Sequence, residues 1–346
     1  MRRDRLIRAL RGEETDTTPI WLMRQAGRHL PGYRKLRETH PILEVARTPE
    51  LAAEVTLEPV RRYDVDAGVV FADISLPFLG LGVDFSIDPG LGPVVARPVR
   101  TRSDVEALAK FDARASVPFV GQAIERFLEL ESERPILGFA GGPFTLAAYL
   151  VDGGPTREYA ETKRLIFGDP GTFDRLIARL TDMTIDYLRF QAESGAAALQ
   201  LFDTWVGAVT PTVFERHLLA PVQKIFEELR ALGRPTIYFS TGSAHLTELL
   251  AHVGSDALGV DWREPLGRVR RRIGPGMALQ GNLDPGALLA PAEVLRREAR
   301  RVLDEVPERR SHVFNLGHGV LPATDPERVH ELVEYVHSAG REGKRR

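Results

Sequence analysis

The sequence predicts an α/β chain closed as a (β/α)8 barrel, with a hairpin and helical insertion after the second strand. Short runs rich in β-branched and aliphatic residues recur eight times, and most are followed by a stretch with helical spacing. Alternating strand and helix patterns imply parallel strands, and eight such units are the number that closes a barrel. The length of 346 residues fits one such barrel with insertions, so residues 1–346 are read as a single domain.

The eight runs are Pro19–Met23, Ala67–Asp73, Pro135–Gly141, Ala196–Asp203, Pro235–Ser240, Ala257–Asp261, Met277–Asn282 and Ser311–Leu316. Between them the spacing predicts helices over Pro49–Tyr63, Pro170–Gly195, Pro211–Leu232, Thr247–His252 and Pro291–Val306. Leu6, Ile7 and Leu10 fit a short amphipathic helix ahead of the first run. The interval from Asp73 to Pro135 is too long for a simple crossover. Two extended pieces within Val83–Val99 flank Asp88-Pro89-Gly90-Leu91-Gly92, a turn composition that predicts a hairpin, with two helices after it. This glycine-rich piece neither follows a buried strand nor opens a helix, which sets it apart from a dinucleotide-binding turn. Residues 341–346 read as a frayed, solvated basic tail.

Composition narrows the function. A net charge of −2 argues against a broad nucleic-acid surface. No run approaches the roughly 18 apolar residues of a membrane span. The chain has no cysteine, which removes disulfides, thiolate nucleophiles and cysteine-based metal sites. These features predict a soluble, cytoplasmic protein that binds neither membrane nor nucleic acid.

Within Pro19–Arg34 an apolar run ends in Arg24, and Gly27 and Gly32 bracket a polar loop carrying Arg28, His29, Tyr33 and Arg34. Three guanidiniums on one loop ask for an anion, each charge-assisted bond contributing about 1.5–3 kcal/mol, so several imply a polyanionic small molecule. Part of this richness is compositional, because lysine stands only at positions 35, 110, 163, 224 and 344. In barrels of this type chemistry gathers where strands end. Here the runs end in Arg24-Gln25, Asp73, Gly141-Gly142-Pro143, Asp203-Thr204-Trp205, Ser240-Thr241-Gly242, Asp261-Trp262, Gly281-Asn282 and Asn315-Leu316-Gly317-His318-Gly319. Asp203 and Asp261 are expected to cap the helices that follow them, and Asn282 to tie loops together. Asp73 lacks a clear capping register, and His318 is flanked by glycines. No lysine ends a strand, which disfavours Schiff-base chemistry.

Five stretches carry a family resemblance: Met23-Arg24-Gln25-Ala26-Gly27-Arg28 with Leu30-Pro31-Gly32-Tyr33-Arg34, Phe71-Ala72-Asp73-Ile74, Phe139-Ala140-Gly141-Gly142-Pro143-Phe144-Thr145-Leu146 with Tyr149, Gln200-Leu201-Phe202-Asp203-Thr204-Trp205, and Asn315-Leu316-Gly317-His318-Gly319-Val320. In content and order the chain resembles the uroporphyrinogen decarboxylases. The resemblance implies a homodimeric barrel needing no metal or organic cofactor. Its substrate would be uroporphyrinogen III, whose four acetates are decarboxylated to give coproporphyrinogen III on the route to haem.

The resemblance implies roles residue by residue. Asp73 would accept from the pyrrole N–H groups and stabilise a protonated ring. Arg24 and Arg28 would hold carboxylates and support catalysis. The substrate-binding set would be Arg24, Gln25, Ala26, Gly27, Arg28, Asp73, Tyr149, Thr204 and His318, with no metal ligand. His29 and Gly32 depart from residues common in relatives, and Gly32 is expected to loosen the loop. Two other readings compete. Methyltransferases of the same superfamily use cysteine-bound zinc, which this chain cannot supply; a tetrapyrrole carrier would keep the pocket without the chemistry. A glycosidase drawing on two of Asp73, Asp203 and Asp261 has no use for the arginine loop.

Overall fold

The computed structural model describes residues 4–88, 90–306 and 310–342. Strands run over Gly68–Val69 (β1), Phe85–Asp88 (β2), Gly92–Val95 (β3), Ile136–Gly141 (β4), Ala198–Phe202 (β5), Thr236–Phe239 (β6), Ala257–Gly259 (β7), Ala278–Leu283 (β8) and His312–Leu316 (β9). All but β2 and β3 join one sheet in the order β1-β4-β5-β6-β7-β8-β9, with every pairing parallel.

The first apolar run is not a full strand. It forms a single parallel bridge, Ile20 to Phe314 of β9, while the Asp66 amide donates to the Ile20 carbonyl at 2.8 Å and so links the run to the foot of β1. Side chains replace the rest of its ladder. Gln25 Oε1 accepts from the Leu22 amide at 3.0 Å, and Asn315 Oδ1 from the Met23 amide at 3.1 Å. The curled sheet is thereby bridged across its two edges.

A cluster of buried apolar side chains fills the interior of the sheet. It takes Trp21, Ala67, Leu137, Ala198, Ile237, Ala257, Ala278 and Val313, one residue from each position around the sheet, with Leu6, Ala9 and Leu10 of the helix Arg5–Leu10 packed on it. This is the layered filling of a barrel rather than a pore. Above it, Trp21 Nε1 donates to Gln280 Oε1 at 3.0 Å, and Gln280 Nε2 to Gln200 Oε1 at 2.9 Å.

The predicted hairpin is β2 and β3, paired antiparallel from Phe85↔Val95 to Asp88↔Gly92. Pro89 lies outside the described residues, but Asp88 Oδ1 accepts the amides of Gly90 and Leu91, which sets the turn. Three helices follow it rather than two: Arg102–Ala107, Ala113–Ser116 and Pro118–Leu130. Pro211–Leu232 likewise divides into Pro211–His217 and Leu219–Arg230. Pro221 explains the break, since it has no N–H for the His217 carbonyl four residues back. Of the tail, residues 341–342 continue the helix Pro326–Glu342, and 343–346 lie outside the described residues. Among the described residues no helix is long and apolar enough to cross a membrane.

Candidate active site

Arg24 occupies the third position of a turn closed by the Gln25 amide on the Leu22 carbonyl at 3.0 Å, with φ of 59°. Glycine or asparagine normally takes this conformation, and holding another residue there costs about 1–3 kcal/mol. The strain throws the arginine off the end of the buried run. Its stem lies against Gly319, where a Cβ would come 2.3 Å from Arg24 Cδ. Arg24 is exposed to solvent although protein surrounds it closely. That enclosure lowers its pKa, as does the charge of Arg28, while Tyr149 and Asp73 act in the opposite direction.

Asp73 stands four residues beyond β1. Contrary to expectation it has a clear register: Oδ1 accepts the Ser75 amide at 2.9 Å and the Ser75 hydroxyl at 2.5 Å, and the Leu76 amide donates to the Asp73 carbonyl. This pins the carboxyl group from one side, while among the described residues no donor reaches Oδ2. The Asp73 charge acts on Arg24, Tyr33 and Tyr149, so these groups share one neighbourhood.

Tyr149 projects from the helix Pro143–Asp152, 4.2 Å between ring centres from Trp205. Burial raises its pKa first and Asp73 second, so it is a neutral donor. A Cβ on Gly92 would lie 3.8 Å from its hydroxyl, and so the hairpin turn adjoins the site. His318 follows β9, with its ring centre 6.5 Å from those of Phe239 and Trp262. Burial, then Arg24 and Arg263, lower its pKa to about 4, against a small opposing effect of Asp261. It is a neutral imidazole near pH 7. Thr204 is half-buried beyond β5, and its carbonyl takes the Thr241 amide and hydroxyl.

Other members of the expected set are placed differently. The Gln25 side chain is buried and turned inward, its Nε2 donating to the Ala67 carbonyl at 2.9 Å, so only its backbone is near the turn. Ala26 and Gly27 follow that turn, and a Cβ on Gly27 would lie 3.0 Å from the Arg24 carbonyl oxygen. Arg28 is exposed. Arg34 leaves the expected guanidinium trio: it sits on the helix Pro31–Thr39 and donates to the carbonyls of Arg28 and His29. Gly32 does not loosen a loop. It lies in the first turn of that helix, where a Cβ would meet Glu58 Oε1 at 2.7 Å. His29 is buried and bonded to the Tyr63 hydroxyl at 3.1 Å.

The remaining strand-end aspartates are structural. Asp203 caps the helix Pro143–Asp152, which precedes it, rather than the helix that follows: Oδ1 accepts the amide and hydroxyl of Thr145, both at 2.8 Å, and Oδ2 the Tyr238 hydroxyl at 3.1 Å. Asp261 does not cap a following helix either; it accepts from the Gly242 amide and from Arg263. Asn282 does tie loops, donating to the carbonyls of Asp261 and Glu264. The residues that sequence reasoning passed over are Ser75 and Arg263, while Tyr33 and Gly319 stand in its motifs without a role. Ser75 was findable, since an aspartate two residues before a serine is a turn signature.

Residues 1–339 match the family model described as Uroporphyrinogen decarboxylase (URO-D). The uroporphyrinogen decarboxylase of Streptomyces coelicolor is 49% identical over 332 residues, covering 96% of this chain and 93% of that protein. One from Thermus thermophilus is 46% identical over 333 residues, covering 96% and 97%. Among solved structures, a methyltransferase from Methanosarcina mazei aligns over 98% of both chains with a TM-score of 0.79 at 21% identity, which shows a shared fold.

Proposed function

Because the chain belongs to the uroporphyrinogen decarboxylase family, we propose that it removes all four acetate carboxyl groups of uroporphyrinogen III to give coproporphyrinogen III. The observation that carries this reading is the placement of Asp73, with Oδ2 open, in one neighbourhood with Arg24, Tyr149 and His318 at the carboxyl end of the sheet.

In this reading the non-aromatic macrocycle turns its pyrrole N–H groups toward Asp73, which accepts them through the oxygen that Ser75 leaves open. Protonation of a pyrrole carbon next to an acetate makes a cation, and the fixed negative charge of Asp73 stabilises it where it develops. The acetate C–C bond then breaks, its electron pair flows into the ring and carbon dioxide leaves. A proton added to the exocyclic carbon and another lost from the ring leave a methyl group. Each cycle consumes one net proton and releases one carbon dioxide. Arg24 and Arg28 hold carboxylates of the substrate. A guanidinium delocalises its charge and holds its protons tightly, so their part is binding and electrostatics. Neutral Tyr149 and neutral His318 can each donate a hydrogen bond to a carboxylate. Thr204 and the backbone of residues 25–27 complete the binding set.

By the same family reading the chain acts as one barrel unit, as a cytoplasmic homodimer, and without a metal or organic cofactor. The test is anaerobic incubation of metal-stripped protein with freshly reduced uroporphyrinogen III, followed by oxidation and chromatography by carboxyl number. Hepta-, hexa-, penta- and tetracarboxylate porphyrins appearing in sequence support the reading. Intact substrate that still binds indicates a carrier, and intact substrate that does not bind overturns both.

A further inference from the structure

Arg263 is the one arginine in the loop after β7, and it is held as a binding group is held. Its side chain is 52% exposed, whereas its partner Asp261 is 5% exposed. Nη1 donates to Asp261 Oδ2 at 2.5 Å, and the Arg263 amide donates to Asp261 Oδ1 at 2.9 Å. The guanidinium lies over the Trp262 indole, 3.9 Å from the ring centre. Asp261 is fixed in turn: the same Oδ2 also accepts the Gly242 amide, and its carbonyl takes Asn282 Nδ2 at 2.8 Å. One face and one nitrogen of the fork are therefore anchored. The edge made by Nε and Nη2, the pair that grips a carboxylate side-on, has no partner among the described residues.

The loop 317–319 connects this group to the site. Gly317 packs on the Trp262 backbone, where a Cβ would come 2.2 Å from the Trp262 nitrogen, and Gly319 packs on the Arg24 stem. His318 lies between them, edge-on to Trp262 with an interplanar angle of 81°. The charges of Arg24 and Arg263 both bear on His318. Arg263 and Arg24 therefore both stand close to His318, Arg263 by way of Trp262 and Arg24 by way of Gly319.

We propose that Arg263 is a substrate-positioning residue whose free Nε/Nη2 edge clamps a propionate of the macrocycle beside His318. The proposal rests on the decarboxylase reading and extends it. A propionate is the logical occupant because the acetates are consumed one by one. A clamp set on a rigid loop away from Asp73 can serve every round only by gripping a group that the reaction leaves unchanged. Trp262 and Asp261 pre-order the guanidinium, so little side-chain freedom is lost when the carboxylate arrives.

The test compares wild type with Arg263→Gln and Arg263→Lys. KM and kcat are measured on uroporphyrinogen III, and binding of coproporphyrinogen III, which keeps only propionates, is followed anaerobically by tryptophan quenching. Arg263→Gln is expected to raise KM and weaken coproporphyrinogen binding by roughly tenfold, the scale of one charge-assisted pair, with a much smaller change in kcat. Arg263→Lys should recover part of the binding, because it restores charge without the fork. A role confined to tethering Asp261 would instead lower the melting temperature and leave KM and coproporphyrinogen binding unchanged, and that outcome overturns the proposal. If wild type binds coproporphyrinogen without turning over uroporphyrinogen, and Arg263→Gln still weakens that binding, the clamp stands while the decarboxylase reading falls. Wild type that neither binds nor reacts removes both.

Discussion

Gly319 and Arg24 are in such close contact that a methyl group on Gly319 would lie 2.3 Å from Cδ and 2.6 Å from Cγ of the arginine. The glycine backbone is not in the left-handed region, so alanine is tolerated there except for this contact. The Arg24 stem has to move instead. Gly319→Ala should leave the thermal midpoint nearly unchanged and lower kcat/KM by roughly a hundredfold, the cost of misplacing a positioning group by about an ångström. Melting curves and kinetics on the same preparation check both halves. Wild-type kinetics would mean that Arg24 has no fixed position in the site.

Asp73→Asn separates chemistry from fold. Asparagine keeps an oxygen for the Ser75 amide and hydroxyl, which are the bonds the folded structure uses. It loses the negative charge that the cationic intermediate requires. Stability should change by less than about 1 kcal/mol, while turnover falls on the order of a thousandfold, as for loss of a preorganised charge-stabilising group. Chromatography of the porphyrins after anaerobic incubation gives the rate, and tryptophan quenching shows whether substrate still binds. Full turnover by the variant removes Asp73 from the mechanism.

The three strand-end aspartates show what was legible in the sequence and what was not. Asp73, Asp203 and Asp261 each close an apolar run, and only their partners distinguish them. Ser75 is two residues from Asp73, so that turn could be read locally. Thr145 is 58 residues before Asp203 and Tyr238 is 35 after it, distances that only strand order converts into contact. The eight-unit count was legible because apolar runs alternate with helical spacing. The reduction of the first to one bridge was not, because Gln25 and Asn315 replace ladder bonds with side chains that carry no periodicity. The arginine loop was legible as an anion site, but Arg34 was miscounted, since its bonds to the Arg28 and His29 carbonyls follow from a helix starting at Pro31. Arg263 escaped notice because its significance lies in Asp261, Trp262 and His318 converging on it.

Two histidines set a pH dependence with a definite sign. Burial, then Arg34 and Arg62, lower the pKa of His29 to about 4 from 6.5, and His318 is lowered to about 4 as well. The unfolded chain takes up these protons first as pH falls, so stability is complete above pH 6.5 and declines between 6.5 and about 4. His29 is the cleaner probe, being only 1% exposed and outside the binding set. His29→Gln retains a group that can bond the Tyr63 hydroxyl but cannot take up the proton. Urea midpoints above pH 6.5 and near pH 4 should show a shallower decline for the variant than for wild type. Parallel declines would place the His29 pKa near its ordinary value.

Asp66 joins the two edges of the curled sheet, and its loss should loosen the segment that carries Arg24. It is 3% exposed and pairs with Arg5, itself 2% exposed and bonded also to Asp16 at 2.6 Å. Its Oδ2 accepts the Ile20 amide and His337 Nε2, both at 2.8 Å, and the Asp66 amide returns a bond to the Ile20 carbonyl. Removing one member of a buried charged set strands the others, so Asp66→Ala should cost about 3–5 kcal/mol. The damage should also be directional. Ile20 holds the run that ends in the Arg24 turn, and its ladder there is a single bridge to Phe314, so its amide should exchange with solvent faster in Asp66→Ala than amides of β5 or β6. At temperatures where the variant remains folded, KM should rise because Arg24 is less firmly placed. Uniformly faster exchange across all strands, with KM unchanged, would show instead that Asp66 supports global stability alone.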